Sequence, residues 1–195
     1  MATATGTAAE TGQGTFIAKV GKPAPDFDMP STKNLETLAE NVKLSDYKGK
    51  WLILLFYPLD FTFVCPTELT AFSDRLEELQ GVGAEVIGVS TDSVHSHRAW
   101  IKTPRDQNGI EGLQYPLASD VGGKLARAYN ILVEESNIAL RGLFIINPEG
   151  VLQYSVVHDL NIGRSVDETL RVLLGLQTGG LCAAYWKPGQ ENLKV

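Results

Sequence analysis

The stretch from Trp51 to Pro58, WLILLFYP, constrains the fold of this chain more than any other. Seven apolar residues follow one another without a polar interruption, and a proline closes the run. A strand with one wet face alternates apolar and polar residues. An unbroken run of strand length fits a central strand covered on both faces. The run falls far short of the roughly 20 apolar residues that a transmembrane helix needs. A strand buried on both faces needs layers of helix above and below it. A length of 195 residues is ample for one such domain with appendages.

The remaining chain supplies those layers. Gly21 to Pro30 is proline-rich and reads as extended, and Val42 to Leu44 as a short strand. Pro66 to Gln80 has Leu69, Phe72, Leu76 and Leu79 at helical spacing, with charged residues between them. Ala84 to Thr91 is a second buried-strand segment. His95 to Lys102 reads as a helix ended before Pro104, Asp106 to Tyr115 as a loop, and Gly123 to Tyr129 as a short helix. Arg141 to Ile146 and Val151 to Val157 flank Asn147-Pro-Glu-Gly150, which is type I turn chemistry and predicts a hairpin. Ser165, with Glu168 three residues on, predicts a capping box for a helix to Leu176, ended by Gly179-Gly180. Strand–helix alternation, a hairpin and a last helix predict an α/β sandwich with a mixed sheet.

Composition narrows the function. Hydrophobic residues make up 44% and charged residues 21%, as in soluble globular proteins. With 17 Lys+Arg against 23 Asp+Glu and no basic run, nucleic acid is not an expected partner, nor is a membrane. Eleven of the first fourteen residues are Ala, Thr or Gly, which predicts a flexible tail over 1–14 without a secretory or transit signal. The expected division is a domain over 15–177 and a C-terminal tail over 178–195. The two cysteines, Cys65 and Cys182, are too few for a thiolate zinc site or a disulfide framework. So low a count fits a reducing, cytoplasmic compartment, where a retained cysteine is more often redox-active than structural. No metal or cofactor is expected. His95 and His97 read as solvated, Trp100 and Trp186 as packing or interface aromatics, and Gly122-Gly123 as an ordinary turn.

The segment from Pro58 to Glu68 carries the chemistry. It runs from the end of a buried strand to the start of a helix, where open α/β folds meet their ligands. Pro66 suits the first helical position, which makes Cys65 the expected N-cap. There the sulfur faces the free amides of the first turn and the positive end of the helix dipole, and both favour a thiolate. Glu68 is then expected at the third helical position, reaching back to the loop. Thr62 can aim a hydroxyl at the same pocket, and Pro58 marks the exit from the sheet. The residues alone leave an inert, packed cysteine equally open, and they read Arg141 and Arg164 as surface residues. Position 68 is Glu, so Cys65 has no local thiol partner. If oxidised, it must be resolved by Cys182 or by an external thiol.

At this point the chain resembles the typical two-cysteine peroxiredoxins. The resemblance rests on PAPDF (23–27), FYPLDFTFVCPTE (56–68), ALRGLFIINPEG (139–150), IGRSVDETLR (162–171) and YWKPG (185–189). It implies a thioredoxin-like fold and reduction of hydrogen peroxide or organic hydroperoxides. It implies that Cys65 is the peroxidatic nucleophile and that Thr62 and Pro58 orient and shield the peroxide. Arg141 is implied as the active-site arginine, Glu68 as the carboxylate linking the arginines, and Arg164 as the second arginine. Cys182 falls where the resolving cysteine of a partner subunit is expected. A thioredoxin-type or dedicated disulfide reductase is the implied reductant, and a homodimer assembling into a decamer-like ring the implied oligomer. Two other outcomes remain open: a one-cysteine cycle with Cys182 idle, and a redox-gated chaperone or peroxide sensor.

Four features depart from the pattern. Ala183 follows Cys182 where the family usually has proline, and the link from Gln177 to Cys182 is short. The Gly-Gly-Leu-Gly loop of oxidation-sensitive members appears as Gly109-Ile-Glu-Gly112. Their C-terminal Tyr-Phe helix has no counterpart before Val195. Resistance to overoxidation is therefore expected.

Overall fold

A computed structural model of the protein describes residues 17–194, so the expected N-terminal tail lies outside the described residues. Two short strands, β1 (Asp28–Pro30) and β2 (Asn41–Lys43), pair antiparallel ahead of the main sheet. The apolar run forms β3 (Trp51–Phe56), followed by helices α1 (Val64–Asp74) and α2 (Leu76–Gly81). Next come β4 (Ala84–Ser90), α3 (Val94–Ile101), β5 (Leu117–Ser119) and α4 (Lys124–Ala128). A small ribbon of β6 (Leu132–Val133) and β7 (Ile138–Ala139) leads to the hairpin of β8 (Arg141–Ile146) and β9 (Leu152–His158). Helix α5 (Val166–Thr178) follows the hairpin.

The five-stranded sheet has the order β5-β4-β3-β8-β9, with β3 at its centre. β3 runs parallel to β4 and antiparallel to β8, so the sheet is mixed. The central position explains the unbroken apolar run. Ile53, Leu55 and Tyr57 pack on one face with residues of α1, α2, α3 and α5, among them Leu69, Phe72, Trp100 and Leu173. Leu52, Leu54 and Phe56 pack on the other with Ile87, Phe144 and residues of α4 and the β1–β2 pair. Each large side chain taken out of water is worth about 1.5–3 kcal/mol, so both layers hold to the sheet through this strand. The hairpin turn closes with the Gly150 N–H donating to the Asn147 carbonyl at 2.9 Å. Gly150 has φ +81°, a conformation that favours glycine there.

Several sequence expectations are corrected. The helix expected over Pro66–Gln80 is two helices that break at Arg75. At the break the Gln114 side-chain amide donates to the Ser73 carbonyl at 3.0 Å, a tertiary bond invisible to helical spacing. α1 also starts earlier than expected: Phe63 is its N-cap and Cys65 its second residue, which moves Glu68 to the fifth. None of the first four N–H groups has an intrahelical partner, so Pro66 fits the third position as well as the first. The capping box of α5 is half formed. Ser165 Oγ accepts from the Glu168 N–H at 3.2 Å, but the Glu168 carboxylate is taken by Arg171. β5 and the β6–β7 ribbon, three residues and two residues per strand, are too short for periodicity to reveal.

Candidate active site

β3 delivers the chain to the site. The Tyr57 N–H still bonds the Val89 carbonyl at 2.9 Å, and the buried Pro58, which has no N–H, ends the pairing. The loop then turns into α1 and places Cys65, wholly buried, in the first helical turn. Glu68 lies three residues on and therefore on the same face of α1. Arg141 opens β8, the neighbour of β3, and aims across the sheet end at both of them.

Its Nη1 donates to Glu68 Oε2 at 2.6 Å and lies 3.4 Å from Cys65 Sγ, while its Nε donates to the Leu160 carbonyl at 2.7 Å. Arg164 holds the other side of the carboxylate. Its Nε donates to Oε1 at 2.7 Å, its Nη2 to Oε2 at 2.9 Å, and its backbone N–H to Oε1 at 2.7 Å. The remaining Arg164 Nη1 donates to the Phe56 and Gly142 carbonyls at 2.7 and 2.6 Å. Arg164 thus ties the ends of β3 and β8 to α1. The surface reading of both arginines is wrong: Arg141 is 3% and Arg164 8% exposed, and Glu68 3%. Their burial needs the carboxylate from α1, which sequence distance hides.

Burial alone would push the Glu68 carboxyl up, but the Arg164 bonds, with Arg141 behind them, outweigh it and hold the group below its ordinary range. Two guanidiniums against one carboxylate leave one uncompensated positive charge, and the guanidinium nearest Cys65 is Arg141. A buried surplus charge of this kind favours an anion beside it. Gly163 passes so near Glu68 that a Cβ there would lie 3.3 Å from Cγ, so the close approach rests on a glycine.

The other predicted residues are placed differently. The Thr62 hydroxyl donates to the Leu59 carbonyl at 3.1 Å, within its own loop. Cys182 lies apart from the cluster. Its Sγ is surrounded by the Gly175 carbonyl at 3.7 Å, Asn192 Oδ1 at 3.6 Å and Thr178 Oγ1 at 3.7 Å. The tail beyond α5 folds back on that helix. Leu181 bridges to Leu193, the buried Trp186 donates to the Gln190 carbonyl, and a groove of about 530 Å³ runs beside Cys182.

Sequence reasoning missed a second polar cluster. His97 is not solvated: it is fully buried, with Nδ1 2.8 Å from Asp60 Oδ2, while His95 is exposed. Asp60 also accepts from the Tyr57 hydroxyl at 2.8 Å and from Ser96 Oγ at 2.8 Å. The available signal was one acidic residue inside the mostly apolar loop LDFTF. Trp100 is fully buried and packs inside the protein. Among the described residues no group of His, Cys, Asp or Glu is arranged to hold a metal ion. No described helix is long and apolar enough to cross a membrane.

A mixed sheet with helices on both faces, and a buried cysteine in a helix's first turn beside an arginine, define a thiol enzyme on a thioredoxin-like scaffold. Comparison with known proteins agrees. Residues 20–155 match the AhpC/TSA family. The chain is 53% identical over 180 residues to the chloroplastic 2-Cys peroxiredoxin BAS1 of Hordeum vulgare, covering 90% of this chain and 85% of that one. It is 51% identical over 181 residues to Peroxiredoxin-2 of Macaca fascicularis, covering 91% and 90%. Among solved structures, the reduced 2-Cys peroxiredoxin of Plasmodium vivax matches with a TM-score of 0.85 and 38% identity, covering 90% of this chain and 92% of that one. The chain belongs to the AhpC/TSA family and is a peroxiredoxin, a thiol peroxidase.

Proposed function

We propose that Cys65 is the peroxidatic nucleophile of a two-cysteine cycle. The observation that carries this reading is the Arg141 Nη1 at 3.4 Å from a buried Sγ, with the same nitrogen locked on Glu68. The Cys65 thiolate attacks one peroxide oxygen and the O–O bond breaks. The departing oxygen takes a proton and leaves as water or alcohol, and the sulfur, oxidised by two electrons, becomes a sulfenic acid. Negative charge moves onto the departing oxygen, where Arg141 and the first-turn amides stabilise it. The Thr62 hydroxyl has spent its only hydrogen on Leu59, so it meets the peroxide as an acceptor of the peroxide's O–H. Pro58, buried at the strand exit, shields the site. Arg164 holds Glu68, and through it Arg141, in place.

The Cys182 thiol of a second copy then attacks the sulfenic sulfur. Water leaves and a disulfide joins the two chains. In a symmetric dimer the exchange is reciprocal. A thioredoxin-type or dedicated disulfide reductase supplies the two electrons that restore both thiols. The cycle suits a homodimer that assembles into a larger ring, in the cytoplasm.

The test is one equivalent of peroxide, followed by non-reducing electrophoresis and intact-mass measurement. A covalent dimer with no added oxygen is expected. Oxidised protein that stays monomeric and carries one added oxygen overturns the resolving role of Cys182. It would favour the one-cysteine cycle, to which the tail folded on its own helix lends support.

A further inference from the structure

The chemistry described above depends on where α1 lies. Cys65 and Glu68 both ride on that helix, and both meet arginines held on the sheet side. Arg164 ties α1 to the ends of β3 and β8 through Glu68. A second attachment, with no part in that chemistry, grips the same helix further along. Gln114 donates from its backbone N–H to Ser73 Oγ at 3.0 Å and from its side-chain amide to the Ser73 carbonyl at 3.0 Å. Tyr115, the next residue, donates from its hydroxyl to the Leu69 carbonyl at 2.9 Å. Leu69 follows Glu68 directly and lies about one helical turn beyond Cys65.

This strap is anchored at its other end. The Pro116 carbonyl accepts from the Gly88 N–H at 3.1 Å, and Leu117 pairs with Gly88, so β4 and β5 hold the chain from the residue after Tyr115 onward. A Cβ on Gly88 would lie 2.5 Å from Leu117 Cδ2, 3.4 Å from Leu69 Cδ2 and 3.5 Å from Tyr115 Cε2, so the three side chains share space that a glycine leaves. Tyr115 is buried, and Leu69 and Ser73 wholly so. The Leu69 carbonyl already belongs to the hydrogen-bond ladder of α1, so the phenol is not needed to satisfy it. What the hydroxyl adds is a fixed distance between α1 and the β4–β5 side of the sheet. Burial pushes the Tyr115 hydroxyl well above its ordinary value, and Arg164 and Glu68 lie near enough to act on it, so it stays a donor beside the buried ion cluster.

We propose that Tyr115, seconded by Gln114, is a positioning residue for the peroxide reaction, holding α1 at Leu69 and Ser73 so that Cys65 and Glu68 meet Arg141 in one register. This rests on the reading of Cys65 as the nucleophile. The strap touches neither the sulfur nor the peroxide, and its effect passes through the backbone of α1. A displacement of about 1 Å at a reacting group can cost roughly a hundredfold in rate, so a shift of a few tenths at Cys65 is readable in the kinetics. The molecule carries its own control. Tyr129 packs on the opposite face of the sheet, and its buried hydroxyl has no partner among the described residues.

The test compares wild type, Tyr115→Phe, Gln114→Met and Tyr129→Phe, each as the full chain. Stopped-flow gives the rate constant of the first peroxide step. Nitrogen-15 NMR gives the Nε–H resonances of Arg141 and Arg164, which report the geometry of the ion cluster. Tyr115→Phe keeps the ring and is expected to slow the first step roughly three- to tenfold and to move both resonances. Gln114→Met, at an exposed residue, removes one donor of the strap and should slow the step about twofold. Tyr129→Phe makes the same chemical change on the other face and is expected to leave rate and resonances at their wild-type values. An unchanged rate constant in Tyr115→Phe overturns the proposal, even with a loss of thermal stability, because the hydroxyl is then only structural. A slower step with unmoved resonances overturns it too, as does equal slowing in Tyr129→Phe. Peroxide consumption by Cys65→Ser overturns the reading of Cys65 instead, while the resonances still decide whether the strap orders the cluster.

Discussion

Cys65 and Cys182 are the same side chain in opposite surroundings. Cys65 lies in the first turn of α1, where backbone N–H groups are free and the helix dipole is positive, and a guanidinium donates toward its sulfur from 3.4 Å. Cys182 lies just past the end of α5, where backbone carbonyls are free and the dipole is negative. Its sulfur faces a carbonyl, a side-chain amide oxygen and a hydroxyl at 3.6–3.7 Å. Donors around a sulfur suit an anion, and acceptors suit an S–H. The proposed roles, nucleophile toward peroxide for Cys65 and resolving thiol for Cys182, follow which end of a helix each one meets. Cys65 is buried, while Cys182 is partly exposed in a tail that folds back on α5.

The sharpest way to break this contrast is to exchange sulfur for something inert at each position. Cys65→Ser should abolish peroxide consumption with the fold intact, as judged by turnover and circular dichroism. Cys182→Ala should keep a fast first reaction in stopped-flow and lose both the covalent dimer and reductase-driven turnover. Peroxide turnover surviving in the serine variant would reverse the two assignments.

Next in size is the carboxylate beneath the first site. Glu68→Gln leaves two buried arginines without a counter-charge, and removing one partner of such a pair costs about 3–5 kcal/mol. The sign of the pH effect follows from its lowered carboxyl. The stability it contributes is complete above the ordinary carboxyl value of about 4.3 and is lost as pH falls through the lower folded value. Urea unfolding from pH 7 downward should show this acid-side loss in wild type and a flatter profile in the variant. An equal acid-side slope in both proteins would remove Glu68 from the linkage.

Arg141→Ala sharpens the contrast from the donor side. Losing one charge donor costs on the order of 3 kcal/mol at comparable oxyanion sites, so the rate constant for Cys65 oxidation should fall roughly a hundredfold or more. A wild-type rate constant would make Arg141 structural only. The smallest effect belongs to the tail. A Cβ at Gly180 would lie 2.0 Å from Asn192 Nδ2, so Gly180→Ala displaces Asn192 and frees one acceptor contact of Cys182. The surface tail can give way, so the cost should stay near 1 kcal/mol. Thiol-reagent labelling of Cys182 should quicken modestly, with Cys65 labelling unchanged.

Much of the molecule was legible because its signals are local. The buried run Trp51–Tyr57, the NPEG turn and the Ser165 cap each act through neighbours within a few residues, and each element forms where expected. The break at Arg75 was not legible: the Gln114 side chain that bonds the Ser73 carbonyl there lies 41 positions along the chain. His97 was misjudged for a similar reason. Nothing within one helical turn of it says that Asp60 waits 37 positions earlier. The arginines are the clearest case. Residue types alone put Arg141 and Arg164 on the surface, and only the resemblance of the chain to a known family placed them with Cys65.

By itself, then, the sequence determined the central strand, the layers that must cover it, and a cysteine at the start of the helix that follows. Those outcomes depend on periodicity, burial and capping, which are written in consecutive residues. Only the tertiary structure decided that Glu68 sits between two arginines, that Asp60 fastens the loop to α3, and that Cys182 rests among acceptors at a helix end. A buried charge is tolerable only beside its partner, and partners here come from strands and helices far apart in the chain. Their meeting is a property of the assembled sheet, and no window of sequence contains it.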